Sequence, residues 1–365
     1  MFSPNVSLFI LLATTLAVVI FFLVIFNRAS KKHKRIKPPP LSRYPNNPIL
    51  SPNGKQDWES QGTFNPGAIQ DDQGNIHLLY RAVGSDGVSR IGYNSSEDGI
   101  HFHGQVPYPV FVMQNPRRNT SSFVERYDLV MYPSGGSWGG SEDPRVVMIN
   151  GRVYVTFNAF DGWDFIRIGL ISIDKKDFFE KRWKWSRPFF ISPTNEINKN
   201  WVLFPEKISG KFAILHSISP DVQIDYVDRL EDLASGKRVI RSRFGQSAPR
   251  KSWDSFRRGV GPPPLKTSKG WLVLYHAIDK KDPNRYKLGA LLLDLVNPKK
   301  VIARGPGPLL SPDMWYENDW KPGIIYACGA VIRNGVLFVY YGGGDKYACV
   351  ATAPLKQILN GLKAV

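Results

Sequence analysis

Five times along this chain a Gly opens a run of alternating apolar residues that ends on an aromatic or His six positions later. The copies are residues 74–80 (GNIHLLY), 151–157 (GRVYVTF), 210–216 (GKFAILH), 270–276 (GWLVLYH) and 335–341 (GVLFVYY), and successive glycines stand 77, 59, 60 and 65 residues apart. Period-two alternation is the mark of a strand with one buried face. Its return at near-constant spacing means one supersecondary unit used repeatedly. A short strand-like piece precedes each copy (FNPGAI, EDPRVV, FPEKI, GPPPLK, CGAVI), and a third piece follows it (RIGY, RIGL, QIDY, KLGA, YACV). Each unit therefore reads as about four antiparallel strands. Four-stranded units repeated radially make a β-propeller, here all-β with five blades.

The bulk properties agree. Roughly 325 residues follow the N-terminal segment, enough for one large β domain. Residues 6–26 are apolar apart from Ser7, Thr14 and Thr15. At about 1.5 Å per residue they match the roughly 30 Å core of a bilayer. No basic segment precedes them and no small-residue cleavage site follows, so they read as a retained transmembrane helix and not as a signal peptide. Arg28, Lys31, Lys32, Lys34, Arg35 and Lys37 come directly after, which places the C-terminal domain on the cytoplasmic side by the positive-inside tendency. That basic flank also suits anionic headgroups. The chain divides into a helix (1–27), a basic, Pro-rich linker (28–45) and a propeller (46–365).

Net charge is +17, but no recognition helix or stacking motif accompanies it, so nucleic acid is not the expected partner. An anionic substrate fits better. Only Cys328 and Cys349 are present, which needs no disulfide framework and suits a reducing compartment. The chain contains no P-loop, dinucleotide glycine fingerprint or Gly-x-Ser-x-Gly elbow. No Cys/His pair has metal-ligand spacing, so no metal is expected. An oligomer stays open.

In a propeller the innermost strands line a central axis. The pieces before each glycine bring Asn65, Asp143, Glu206 and Lys207 to that axis, where polar groups are costly unless paired or functional. Asp143 sits in SEDPR behind a Gly-rich loop (GGSWGG) that lets a ligand approach the backbone. Arg81 and Arg90 in the first unit, Arg167 in the second, His216 in the third and His276 in the fourth could form an oxyanion or phosphate site with Lys207. Trp58, Trp138, Trp163, Trp315, Tyr316 and Trp320 lie in or near loops, where they could stack on sugar rings or pack blade to blade.

With these residues in view, the motifs NPILSP, FNPGAI, LLYRAVG, SRIGYNSSEDG, SEDPRVV, LFPEKISGKFAILH, GVGPPPLKTSKGWLVLYH, YKLGALLLD, the Tyr316-Glu317 pair, ACGAV and YYGGGD follow in order from about Asn47 to the C-terminus. Together they resemble the β-mannoside phosphorylases of glycoside hydrolase family 130. The resemblance implies a five-bladed propeller with an axial site and Asp143 as general acid, acting through the sugar 3-hydroxyl. It implies attack by inorganic phosphate on the anomeric carbon with inversion, giving mannose 1-phosphate. Phosphate is then a co-substrate and no cofactor is needed. Lys207, His216, Tyr286 and Arg167 or Arg81 would hold phosphate. Asn65, Arg81 and Asp345 would hold the mannosyl unit, Arg90 and His276 would add substrate contacts, and Tyr316 and Glu317 would stand near the acceptor.

An inverting hydrolase needs a second carboxylate, roughly 6.5–9.5 Å from the acid, to activate water. A phosphorylase has an anionic nucleophile and needs cations there. A hydrolase, a nucleotide-sugar-dependent mannosyltransferase and a non-catalytic carbohydrate-binding propeller are the alternatives on this scaffold. The chain departs from the family pattern at Ser217, where Arg is common, and at GGGDK, where Ala-Ala-Asp-Thr is usual and Lys346 stands instead beside the sugar subsite. Its loop over 105–137 is also long.

Overall fold

The structure, a computed structural model, describes residues 41–113, 135–162, 165–243 and 252–365. The expected helix at 6–26, most of its linker, and Trp163 lie outside the described residues. Among the described residues no helix is long and apolar enough to cross a membrane.

Among the described residues, twenty strands account for the fold, which is all-β: β1 (Ser42–Arg43), β2 (Gly62–Gln70), β3 (Ile76–Val83), β4 (Val88–Ser96), β5 (Gly139–Ile149), β6 (Arg152–Asp161), β7 (Ile166–Asp174), β8 (Phe189–Phe190), β9 (Val202–Leu203), β10 (Phe212–Ser217), β11 (Gln223–Val227), β12 (Phe256–Val260), β13 (Leu265–Thr267), β14 (Gly270–Asp279), β15 (Asp282–Leu293), β16 (Val301–Arg304), β17 (Ile325–Arg333), β18 (Val336–Gly343), β19 (Tyr347–Pro354) and β20 (Lys363–Ala364). They form antiparallel meanders: β2-β3-β4, β5 to β8, β9-β10-β11, β12-β14-β15-β16 with β13 also paired to β14 and β20 added beside β16, and β17-β18-β19. A short parallel pairing of β4 with β5 joins the first two. The N-terminal β1 pairs with the outer edge of β19, joining the start of the described chain to its last meander.

The apolar faces pack meander on meander. Leu79, Tyr93, Val155 and Phe157 cluster between the first and second, and Val147, Ile168, Leu203 and Ile214 between the second and third. Leu215, Ile224, Val273 and Leu291 join the third to the fourth, and Leu274, Leu292, Val339 and Cys349 the fourth to the fifth. Ala68, Leu78, Phe338 and Tyr340 then join the fifth back to the first. Each meander hides both faces, which is why its middle strand reads as a nearly unbroken apolar run.

Strand register explains the glycines of the third pieces. Gly92 pairs with Tyr80, Gly169 with Phe157 and Gly289 with Tyr275. A Cβ on any of them would fall within 2.3–2.7 Å of the facing aromatic ring. The aromatic lies across the strand on a residue with no side chain, and the repeat specifies both partners.

The same register corrects the alignment of the repeat. Gly74, Gly151, Gly210 and Gly335 precede their strands, whereas Gly270 already pairs with Thr267 as the first residue of β14. The fourth copy is therefore shifted by one, and Tyr275, not His276, is the counterpart of Tyr80 and Phe157. His216 and His276 are not equivalent positions.

Candidate active site

The first strands of four meanders carry bulges: between Phe64 and Gly67 in β2, Glu142 and Arg145 in β5, Arg257 and Gly259 in β12, and Ala327 and Gly329 in β17. These strands approach closely. A Cβ at Gly67 would meet the Pro144 carbonyl oxygen at 2.5 Å, and one at Gly329 the Pro66 carbonyl oxygen at 2.6 Å. Asn65, Asp143 and Arg258, at three of these bulges, line a shared cavity of about 860 Å³.

Four residues lining that cavity are non-glycines in the left-handed backbone region: Asn65 (φ 49°), Asp143 (φ 51°), Asn200 (φ 66°) and Asp345 (φ 52°). Asn and Asp tolerate this conformation best. Asn65 and Asp143 hold it even though each precedes Pro, which disfavours the α region. Strain of this kind persists only where surrounding structure over-determines it and gathers at functional sites.

Asp143 is the buried centre. Its Oδ1 accepts from Asn65 Nδ2 (2.7 Å) and Arg81 Nη1 (3.3 Å), and its Oδ2 accepts from Asn158 Nδ2 (3.3 Å). Burial alone would raise its pKa. The Arg81 and Arg145 guanidiniums, the Asn65 amide and Lys199 outweigh that effect and hold the carboxyl below the ordinary carboxylate range. Arg81 is fixed in turn by Ser89 Oγ (2.9 Å), Ser137 Oγ (2.9 Å) and Glu142 Oε1 (3.0 Å). Arg145 acts as a tie rod, donating to the Asp143 carbonyl (2.8 Å), Asn200 Oδ1 (2.9 Å) and the Gly261 carbonyl (2.9 Å).

The cations on the cavity wall divide by partner. Lys199 pairs with Glu142 (3.2 Å), Lys321 with Asp345 (3.2 Å), and Arg241 with Glu196. Arg258 donates to Tyr286 Oη (3.0 Å) and lies over the rings of Phe256 and Tyr286. Among the described residues no carboxylate pairs with it. Arg258, Lys199 and Asn200 also line an adjoining cavity of about 200 Å³ that holds Ser217 and His216.

Of the residues expected from sequence, Asn65, Arg81, Asp143, Tyr286 and Asp345 share the cavity. His216 stands one layer back. Its Nε2 meets Asp225 Oδ2 at 3.1 Å and its Nδ1 meets Ser242 Oγ at 2.9 Å, so it holds Ser242 against the cavity wall. His276 is also behind the wall: Nε2 accepts from the Ala327 amide (2.9 Å), and the ring stacks on Tyr326 at 4.0 Å. Burial lowers its pKa to about 3.

Six expected residues are not brought in, among them Glu206, which pairs with Lys266 (2.6 Å). Lys207 follows the paired strand β9 and lies over the Phe212 ring at 4.5 Å. Arg167 donates to the Ser192 carbonyl (3.1 Å) and covers Phe190, and Arg90 is occupied by Asp86 (2.9 Å). Tyr316 and Glu317 are buried. The Glu317 carboxylate accepts from Arg43 (2.7 and 3.0 Å), the Asp313 and Met314 amides (2.7 and 2.9 Å) and Tyr341 (2.9 Å). The sequence pattern does not single out Lys199, Asn200, Arg258, Tyr326 or Asn158. Asn-Lys-Asn before WVLF and Arg-Arg-Gly before VGPPP are the signals that mark the first three. Among the described residues no group of three or more His, Cys, Asp or Glu is placed to hold a metal ion.

The all-β fold, whose cavity sets the buried carboxylates of Asp143 and Asp345 among cations, can be placed by comparison with known proteins. The glycoside hydrolase 130 family model, described as β-1,4-mannooligosaccharide phosphorylase, matches residues 40–364, and the chain belongs to that family. It is 36% identical over 328 residues to a 1,2-β-oligomannan phosphorylase of Thermoanaerobacter sp. (strain X514), covering 87% of this chain and 98% of that one. A β-1,2-mannobiose phosphorylase of the same organism is 34% identical over 333 residues, with the same coverage. The fold is similar to that of the β-1,2-mannobiose phosphorylase of Listeria innocua solved with β-1,2-mannobiose (TM-score 0.66, 24% identity, 88% of this chain and 98% of that one).

Proposed function

We propose that the chain is an inverting β-mannoside phosphorylase whose substrates are β-1,2-linked. The observation that carries this reading is that the cavity holding Asp143 also holds Lys199 and an Arg258 that has no carboxylate partner among the described residues. The linkage follows the two β-1,2-specific relatives. The five meanders, with hydrophobic clusters between each neighbouring pair and between last and first, support the blades of a propeller around this cavity.

Inorganic phosphate is the co-substrate and no further cofactor enters. Asn65, Arg81 and Asp345 hold the mannosyl unit, while Lys199, Arg258 and Tyr286 hold phosphate. A phosphate oxygen attacks the anomeric carbon as the bond to the leaving oxygen breaks, and that oxygen takes the Asp143 proton through the sugar 3-hydroxyl. Mannose 1-phosphate of inverted configuration and the shortened mannoside leave. In the empty site Asp143 favours its carboxylate. A phosphate dianion beside Lys199 and Arg258 adds negative potential and pushes the Asp143 pKa up, toward the protonated acid the step requires.

The test is incubation with β-1,2-mannobiose with and without phosphate, followed by NMR. α-Mannose 1-phosphate formed only with phosphate is expected, and free mannose formed equally well without phosphate overturns the reading. We further propose, from residues 6–26 and their basic flank alone, that the enzyme is tethered to a membrane with its catalytic domain on the cytoplasmic side. Protease digestion of the domain in sealed right-side-out vesicles would refute that orientation.

A further inference from the structure

Trp315 is 60% exposed, unlike the large aromatics that build the core. It occupies a single 3₁₀ turn (Trp315–Glu317) that the buried Glu317 carboxylate fixes through Arg43, Tyr341 and two backbone amides. This turn sits directly on Gly343 and Gly344, where an added Cβ would meet the Tyr316 carbonyl oxygen at 2.8 and 3.1 Å. Asp345, which lines the cavity, is the next residue, and Lys321 at the far end of the same loop pairs with it.

The residues that follow Asp345 in sequence make contacts of their own with this loop. Lys346 Nζ and Tyr347 Oη both donate to Asp319 Oδ2 (3.0 and 2.7 Å). Lys346 lies over the rings of Trp320 (5.6 Å) and Tyr347 (5.2 Å). Tyr347 meets Trp315 edge to face at 5.4 Å. Trp315 offers an exposed ring, backed by the buried Tyr347, beside the Lys346–Asp319 pair. A pyranose presents the matching combination, an apolar C–H face with hydroxyls around its rim. Asp345 and Lys321, which flank this cluster in sequence, line the sugar cavity.

We infer that Trp315, with Lys346 and Asp319 beside it, forms an additional sugar subsite that binds a mannosyl ring of a longer β-mannoside chain lying beyond the bond being cleaved. This rests on the phosphorylase reading and extends it from a disaccharide to an oligosaccharide substrate. The turn is preorganised, so little ordering is needed when the distal ring stacks.

The test is kcat/KM for phosphorolysis of β-1,2-linked mannobiose, mannotriose and mannotetraose by wild type, Trp315→Ala, Trp315→Phe and Tyr108→Ala, the last removing an exposed aromatic elsewhere. Trp315→Ala should leave mannobiose unchanged and lower the longest substrate roughly three- to tenfold, the factor expected of one aromatic stack. Trp315→Phe should recover most of that loss, and Tyr108→Ala should match wild type. An equal fall at every length, or none, overturns the subsite. If wild type forms no mannose 1-phosphate from any of the three, the phosphorylase reading fails instead. Calorimetric binding of mannotetraose then tests the subsite alone, and equal affinity in wild type and Trp315→Ala overturns it.

Discussion

Asn65 donates its side-chain amide to Asp143 Oδ1 over 2.7 Å, and the two residues share one backbone state, φ 49° and 51°, each before a proline and each inside a strand bulge. The bond joins the first strands of neighbouring meanders. Each residue is aimed by a conformation that costs about 1 kcal/mol or more for a non-glycine residue, and each helps fix the other. Asp143→Asn keeps the shape and removes the proton. Phosphorolysis of β-1,2-mannobiose should fall roughly 10²- to 10⁴-fold. A dinitrophenyl β-mannoside, whose leaving group needs no proton, should lose much less. Equal losses on the two substrates would assign Asp143 a role in shape and not in proton transfer.

Arg258 predicts a division between the two substrates. It lies over Phe256 and Tyr286 with no carboxylate partner among the described residues, so its charge is available to an incoming anion. Arg258→Ala should raise the KM for phosphate by roughly tenfold or more, the scale of one charge-assisted contact, while the KM for β-1,2-mannobiose changes little. Arg258→Lys should restore part of the loss, since an ammonium keeps the charge but not the planar fork. Steady-state kinetics with each substrate varied in turn decides it. A rise confined to the mannobiose KM would place phosphate elsewhere.

The repeat made the fold legible because short apolar runs and turn glycines are local signals, and each meander carries its own copy, although the structure buries both faces of the middle strands and not the single face that alternation predicts. Asn65 and Asp143 are readable for the same reason, as polar residues in otherwise apolar inner strands, whereas Asp345, in the turn after β18, is marked only by the family resemblance. Lys207 and Arg258 show where local signals end. In the third meander the paired inner strand is only Val202–Leu203, so the polar residues entering the cavity come just before it, at Lys199 and Asn200, and Lys207 falls after it. In the fourth, the cavity-lining strand is Phe256–Val260 and not the Pro-rich piece beside the repeat. Tyr316 and Glu317 carry a sequence signature whose work is structural, holding a turn. Motif spacing cannot separate a residue that touches a ligand from one that positions its neighbour.

The glycine of Arg167-Ile-Gly-Leu predicts a stability effect without any ligand. A Cβ at Gly169 would lie 2.3–2.9 Å from three atoms of the Phe157 ring, which is itself buried against Phe111 at 5.3 Å. Gly169→Ala should destabilise the fold by about 1–3 kcal/mol, the range for overpacking a core. At Gly307 an added Cβ meets nothing within 4 Å, so Gly307→Ala should be close to neutral. Urea unfolding reads both as a shift in midpoint at constant slope. Equal midpoints for the two variants would remove the cross-strand aromatic–glycine pair as a determinant of stability.

His276 ties stability to pH. Burial, with the nearby Arg145 charge, lowers its pKa to about 3, against an ordinary value of 6.5. The folded protein therefore keeps it neutral through a range in which the unfolded chain takes up a proton. Stability from this group is complete above pH 6.5 and declines as pH falls toward 3, because the unfolded state binds more protons in that window. Burial also lowers the His77 pKa, and its slope has the same sign. His276→Gln retains an acceptor for the Ala327 amide and removes the titration. Its melting temperature should be lower than wild type at pH 7, and the gap should narrow steadily toward pH 4. Calorimetry of both proteins across that interval is the check, and a gap that stayed constant or widened on acidification would show that His276 is not the neutral buried group the Tyr326 stack implies.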